Sequence, residues 1–340
     1  MKILVLTNMY PNEHRSFYGV FVKDEIEALK RRALKPELLF INGRRNRLHY
    51  LSGLVRLVQV LSSGEYDLIH AHHTYCAFLA LVARPLAGKR IPLILTLHEG
   101  EIFHKTDDNY EIDRIRRFQY NTSLRQFVMQ RLSFLITVNK DLINGFRMRD
   151  YSVIPCGVDL ERFRPFSRED SRKETGIAKN ARVVFFPSDY RTPAKRFDLV
   201  EEAYRILQRE YNGTLHLIRG GEIPPERMPV YYNASDVVVL ASDYEASPMV
   251  VKEAMAVNVP VVTVNAGDAV TLISGVEGCY QTAREPGDIA CNIRRALDFG
   301  ARTKGREKIR QLQLSHHDSV YKVIRVYERV LSGNASPAPA

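Results

Sequence analysis

Two doubly wound parallel-sheet α/β domains are the architecture this sequence predicts, on three observations. Short β-rich apolar runs alternate with amphipathic helical stretches through both halves of the chain, the pattern of buried strands joined by crossover helices. At 340 residues and 39.0 kDa the chain exceeds the roughly 100–200 residues typical of one domain. A segment from Pro155 to Pro165 separates one alternating series from the next.

The first series opens with the apolar run Ile3 to Leu6, which stops at the polar pair Thr7-Asn8 and reads as a strand. A loop to Gly19 leads into a periodic stretch through about Arg32, a helix, followed by a strand near Leu38 to Ile41 and a helix near Leu51 to Leu61. Strands follow near Asp67 to Ala71 and at Leu93 to Leu97, with Phe134 to Val138 and Val153-Ile154 as the last of this sheet. The second series begins after the polar stretch Ser167 to Asn180, with a strand at Val183 to Phe186 and a helix from Phe197. Strands at Leu215 to Ile218, Val237 to Leu240 and Val259 to Val264 enclose a helix from Pro248 to Val257. The predicted boundaries are a domain over 1–155, a linker over 156–166, a second domain over 167–313, a helix over 314–331 returning toward the first domain, and a frayed tail over 332–340.

Composition sets the broad class. Apolar residues make up 45% and charged residues 26%, so long disorder is not expected. No apolar run approaches the ~18 residues that cross a bilayer, and after Met1-Lys2 only four apolar residues precede Thr7-Asn8, so a cytoplasmic protein is the default expectation. Cys76, Cys156, Cys279 and Cys291 are scattered without metal-ligand or redox spacing, and read as reduced thiols. Residues 1–155 carry 23 Lys/Arg against 15 Asp/Glu, and the remainder 26 against 24. The positive charge is therefore concentrated in the first domain, which suggests an anionic partner there. No helix-turn-helix, zinc module or aromatic-basic module accompanies it, so nucleic acid is not the expected partner.

In open parallel sheets ligands bind beyond the carboxyl ends of the strands, which directs attention to four places: the loop Asn8 to Gly19, His98, Arg191 to Lys195, and Asp243 to Glu253. Ser247-Pro248 reads as a helix start, with serine as cap and proline in the first turn, where unpaired amides and the helix dipole can hold a phosphate. Arg191 and Lys195 could place two cations on one diphosphate. On spacing alone, however, the two cations read as a solvated pair, Glu245 and Glu253 as helix-face carboxylates, and His98 as a buried strand-end histidine.

The ordered blocks Tyr231-Tyr232-Asn233-Ala234-Ser235-Asp236, Asp243-Tyr244-Glu245-Ala246-Ser247-Pro248, Lys252-Glu253-Ala254-Met255-Ala256, Pro260-Val261-Val262 and Gly267-Asp268 change those readings. With Asn8-Met9-Tyr10-Pro11, Gly19-Val20-Phe21-Val22, His98, Pro155-Cys156-Gly157-Val158-Asp159, Phe163 and Arg191-Thr192-Pro193-Ala194-Lys195-Arg196-Phe197, they make a chain that resembles glycosyltransferase family 4. The resemblance spans most of the sequence. It implies the GT-B architecture, two facing Rossmann-like domains with a cleft between them. It also implies a retaining transfer of sugar from a UDP- or GDP-sugar donor, with no metal and no cofactor.

Residue by residue, the resemblance implies that Glu253 binds the nucleotide ribose and Glu245 the donor sugar, while Arg191 and Lys195 neutralise the diphosphate. Ser247, Pro248 and the amides of Met249 and Val250 would complete the phosphate site. Gly19 would let the first loop approach the donor or acceptor closely, and His98 would sit by the reacting carbon. The departures are Ala246 and Glu99 where glycine is usual, and no glycine before Arg191. Asp107-Asp108 lies in a polar loop rather than at a strand end, which is not where a metal clamp belongs.

The family's N-terminal domain receives the acceptor, and here that domain is the basic one. Arg44, Arg45 and Arg47 immediately precede Leu48, Tyr50, Leu51, Leu54, Val55 and Val58, a combination suited to an anionic bilayer surface; the alternative is an ordinary helix packing on the sheet beside a solvated basic loop. The expected acceptor is a lipid-linked glycan or a polysaccharide precursor at the inner face of the membrane. A soluble small-molecule acceptor, a hydrolysing sugar-nucleotide epimerase and a non-catalytic sugar-nucleotide-binding subunit are the alternatives.

Overall fold

The computed structural model describes residues 1–13, 18–43, 45–98, 122–148 and 150–333. Arg44, Glu99, Asp107, Asp108 and the tail beyond Gly333 lie outside the described residues. The chain divides into two compact units, Met1–Pro155 with Ser319 onward, and Cys156–Asp318.

Unit 1 is a six-stranded sheet with all neighbours parallel, built from β1 (Lys2–Thr7), β2 (Lys35–Phe40), β3 (Leu68–His72), β4 (Leu93–Leu97), β5 (Phe134–Thr137) and β6 (Tyr151–Val153), in the order β2-β1-β3-β4-β5-β6. Ile3, Leu4, Val5 and Leu6 are all fully buried, because helices cover both faces of a parallel sheet. The crossovers include α1 (Val20–Arg31), α2 (His49–Ser63) and α3 (Thr74–Leu86), and α4 (Thr122–Met129) precedes β5. Gly19 caps α1 in the left-handed region at φ 76°, and a Cβ there would lie 2.3 Å from the main-chain carbon of Met9. The loop's own backbone thus accounts for this glycine.

In unit 2, α5 (Arg168–Thr175) precedes β7 (Arg182–Asp189), which α6 (Phe197–Glu210) joins to β8 (Leu215–Gly220). Next come α7 (Met228–Ala234), β9 (Val237–Leu240), α8 (Met249–Ala256), β10 (Val261–Val264), α9 (Ala269–Ile273), β11 (Tyr280–Thr282), α10 (Pro286–Phe299) and α11 (Gly305–Gln311). The strand order is β11-β10-β9-β7-β8, again parallel. The period of two along β7 sorts its side chains into two cores, Val183 and Phe185 with one, Val184 and Phe186 with the other.

One helix departs from the sequence reading, and the last helix follows it. The polar stretch after Ser167 is not simply a connector, since it contains α5. Ser167 Oγ accepts from Asp170 N–H and Gly176 closes the helix at φ 72°, so caps rather than apolar periodicity form it. It is held by Asp236, which is 6% exposed and accepts from Arg168 at 2.8 Å, Arg172 at 2.6 Å and the Val183 amide at 2.7 Å. The last helix, α12 (His316–Ser332), sends Val320, Val323, Val326 and Tyr327 into the unit 1 core with Ile3, Val5 and Leu68. Arg329 pairs with Asp150 at 3.0 Å beside it.

Asp236→Ala leaves the buried Arg172 guanidinium without its carboxylate, which costs about 3–5 kcal/mol. Urea unfolding should show that loss, and an unchanged midpoint would contradict this role for Asp236.

Candidate functional site

Ligands of an open parallel sheet gather at the carboxyl edge where the strand order reverses. In unit 2 the reversal lies between β7 and β9, so the loops over 190–196 and 241–248 flank it. Three contacts tie them together. The Asp243 amide donates to Ala194 O at 2.9 Å, Arg196 reaches Asp243 at 3.2 Å, and Lys195 Nζ donates to Glu245 Oε1 at 2.6 Å. Ser242 Oγ donates to the same Glu245 oxygen at 2.6 Å. The Glu245 side chain is 6% exposed and that of Lys195 27%, so the ion pair is partly shielded from water while its cation still reaches solvent. Behind them Arg284 donates to the carbonyls of Ser242, Asp243 and Asn265 at 2.9–3.1 Å, clamping the loop after β9.

The two sequence-nominated cations are not brought to one partner. Arg191 is exposed and turns to its neighbour, with Nε 2.9 Å and Nη2 3.2 Å from the Asp189 carboxylate and Nη2 3.0 Å from Gly221 O. Only Lys195 meets a nominated glutamate. Glu253 lies on α8, where the buried Tyr232 hydroxyl donates to its Oε2 at 2.7 Å. The Tyr232 ring is fixed edge-on against Phe163 and Phe185. Glu245 and Glu253 therefore bracket the start of α8, one held by Lys195 and Ser242 and the other by Tyr232.

The helix start itself requires a correction. Ser247 does not cap α8, and Pro248 is not its first residue. The helix begins at Met249 with Pro248 in the capping position at ψ 115°, and no side chain caps it. Ser247 Oγ instead donates to Asp268 Oδ2 at 2.6 Å and accepts from Lys252 Nζ at 2.7 Å. The first-turn amides of α8, Met249 and Val250 among them, belong to the set without intrahelical acceptors, and the partial positive charge of the helix lies with them.

Lys252 is fully buried and also donates to Cys156 O at 2.7 Å. Burial lowers its pKa, against the opposing pull of Asp268, whose own carboxyl burial raises. Gly267, at φ 58°, lets that loop in, because a Cβ there would be 2.4 Å from Ala246 O. Ala246 itself is 1% exposed.

In unit 1 the reversal lies between β1 and β3, flanked by the loop from Asn8 and by His72-His73, with His98 one strand further at the end of β4. His98 is 5% exposed; its Nε2 is 3.0 Å from His72 Nδ1 and its ring lies 4.4 Å from that of Phe21. Burial drives His98 well below the usual imidazole range, His72 down to about 3, and His70 well down as well. Of the basic patch, Arg45 and Arg47 are exposed ahead of α2.

Sequence reasoning passed over Ser242, Arg284 and Glu25 altogether. It gave no role to Tyr232, Lys252 or Asp268, although all three lie in the quoted blocks. The alternation His70-Ala71-His72 was the available signal for a histidine pair on one strand face.

Three histidines held neutral in the fold stabilise unit 1 above pH 6.5, and this stability is lost as pH falls toward their folded values. Glu25, raised to about 8 by burial, opposes them with the reverse sign, and three outnumber one. His72→Gln should therefore flatten the acid limb by about 1.4 kcal/mol per pH unit below 6.5. Unfolding midpoints measured from pH 7 to 4.5 check this, and parallel limbs for parent and variant would refute it.

Comparison with known proteins follows the same division. The family model for Glycosyltransferase Family 4 matches residues 3–162, and that for Glycosyl transferases group 1 matches residues 201–298. D-inositol 3-phosphate glycosyltransferase of Geodermatophilus obscurus is 32% identical over 274 residues, 69% of this chain and 60% of that protein. A Bacillus subtilis protein named as a teichuronic acid biosynthesis glycosyltransferase, TuaC, is 27% identical over 61% of this chain and 55% of its own. The chain thus spans less than two thirds of these relatives' length. Among solved structures, Anabaena HepE in complex with UDP superposes with a TM-score of 0.67 at 20% identity, covering 98% of this chain and 100% of that one. With its six- and five-stranded parallel-sheet units of the GT-B class, this chain belongs to glycosyltransferase family 4.

Proposed function

We propose that this protein is a retaining, metal-independent glycosyltransferase that moves a sugar from a nucleoside-diphosphate donor, of the uridine class, to an anionic acceptor. The observation that carries the reading is the Lys195–Glu245 pair, 2.6 Å apart at the carboxyl edge of unit 2 beside the first turn of α8. A departing diphosphate gains negative charge in the transition state. Lys195 and the α8 amides are preorganised positive groups for it, the kind of arrangement worth about 3–4 kcal/mol per well-placed donor. The diphosphate would draw Lys195 from Glu245 and release that carboxylate to accept from sugar hydroxyls. Arg191 would have to leave Asp189 to join it. Glu253, steadied by Tyr232, would accept from the ribose hydroxyls, and His98 would face the reacting sugar. The uridine assignment is supported by HepE, whose structures hold UDP and UDP-glucose.

For the acceptor, a lipid-linked glycan at an anionic membrane surface is supported by α2. Leu48, Leu51 and Val55 are 59–66% exposed and form one stripe at helical spacing, with Arg45, Arg47 and Arg56 exposed around it. TuaC is named for teichuronic acid biosynthesis. No described helix is long and apolar enough to cross a membrane, so this association would be peripheral. A soluble phosphorylated acceptor is the second reading, favoured by the relatives named for inositol 3-phosphate; it needs the same positive charge and no bilayer.

A thermal-shift panel of UDP, GDP, ADP and their sugar conjugates tests the donor. A uridine nucleotide should raise the midpoint, since a ligand of the folded state stabilises by mass action, and Glu253→Ala should abolish the shift. No shift at millimolar nucleotide would sink the donor reading. Transfer should survive EDTA, and loss restored by manganese would overturn metal independence. Co-sedimentation with anionic liposomes at low salt should be lost in Leu51→Asp; absence of binding by the parent leaves the soluble acceptor in its place.

A further inference from the structure

Below His98 lies a buried chain of polar groups with no part in the transfer proposed above. Glu25 comes from α1, His70 and His72 from β3, Thr96 from β4 and Tyr327 from α12. Glu25 Oε1 is 3.4 Å from His70 Nδ1 and 3.5 Å from His72 Nε2, and has no hydrogen-bond partner. The donor types would suit a cation, but His70 has committed both ring nitrogens, Nδ1 to the Tyr327 hydroxyl at 2.6 Å and Nε2 to Thr96 Oγ1 at 2.7 Å. Glu25 and His72 alone remain, fewer than the three or four protein ligands of a resident zinc. The cluster is built to hold protons.

His72 connects it to the strand end. Its Nδ1 is 3.0 Å from His98 Nε2, with the two ring planes within 17° of each other and the ring centroids 5.3 Å apart. A neutral imidazole carries one proton, so what one nitrogen does dictates what the other can do. When Glu25 is ionised, His72 turns Nε2–H toward the carboxylate; its Nδ1 then accepts, and His98 donates from Nε2–H. When Glu25 takes up a proton, closing the 3.5 Å gap by a few tenths of an ångström lets the carboxyl O–H donate to His72 Nε2. The His72 proton then resides on Nδ1 and is donated to His98 Nε2, and the His98 proton resides on Nδ1. One proton has been added at Glu25, and both imidazoles stay neutral with their protons exchanged between nitrogens.

We propose that Glu25 and His72 are positioning residues for His98, and that the proton on Glu25 sets which ring nitrogen of His98 carries a proton. Burial raises Glu25 to about 8 and lowers all three histidines, which keeps the rings neutral while the carboxyl titrates. The groups facing Glu25 are His70 and His72 from β3 and Tyr327 from α12; those facing His98 are His70, His72, His73 and the Phe21 ring of α1. The consequence for turnover rests on the reading that His98 faces the donor sugar, whereas the tautomer does not.

Long-range 1H–15N correlation of the histidine rings in the full chain, from pH 6.5 to 9.5, reads the tautomer directly. The His98 proton should move from Nδ1 to Nε2 as pH rises through about 8. The movement should vanish in Glu25→Gln and, independently, in His72→Phe. An unchanging tautomer in the parent overturns the proposal, as does a change that persists in either variant. So does one equivalent of zinc retained by the parent and lost in Glu25→Gln, because a cation would then hold the carboxylate. If the tautomer switches but the pH profile of kcat is the same in parent and Glu25→Gln, the relay stands and the placement of His98 at the sugar falls.

Discussion

The ion pair between Lys195 and Glu245 is the contact on which the candidate site depends. Its two residues are fifty positions apart and meet because β7 and β9 are neighbours while β8 lies on the far side of β7. That strand order parts the loops at the carboxyl edge and leaves an opening that backbone alone cannot fill. A hydrogen bond between charged partners contributes about 1.5–3 kcal/mol when shielded from water, and Ser242 and Arg284 supply the shielding scaffold. The lysine is held by one carboxylate while its side chain still reaches solvent at 27% exposure.

Both units bury polar groups that packing alone would exclude, and each time the group orients something at a strand or helix end. In unit 2, Lys252 and Asp268 meet through Ser247 directly beneath the α8 start, with one Asp268 oxygen buried without a hydrogen-bond partner. Fully buried charges are costly unless paired, so the loop over 265–268 is tied to the helix it touches, and Gly267 permits the approach. In unit 1, Glu25 and the histidines of β3 occupy core positions that aliphatic residues would fill more favourably, and they lead to His98.

Much of this was legible in the sequence. Apolar runs such as Leu93 to Leu97 and Val237 to Leu240 announce parallel strands because both faces are buried and no alternation is needed. The family blocks singled out Lys195 and Glu245 in loops after strands and Glu253 inside the helix that follows. What sequence could not supply was the pairing. Four residues of spacing made Arg191 and Lys195 look like partners, yet Asp189 beside Arg191 is the nearer carboxylate and captures it. Ser247 looks like a cap because serine before a helix usually is one; a buried lysine one turn later competes for its hydroxyl and wins. The α5 helix escaped because its signal is capping at Ser167 and Gly176, not an apolar stripe.

The most direct test of the account is calorimetric titration of uridine diphosphate and uridine monophosphate into the parent protein and Lys195→Met. Taking the ratio of the two affinities within each protein cancels any general loss of stability. The account predicts that the diphosphate binds the parent about tenfold or more tightly than the monophosphate, and that Lys195→Met erases most of that preference. An equal preference in both proteins would contradict the assignment of this pair as the diphosphate site.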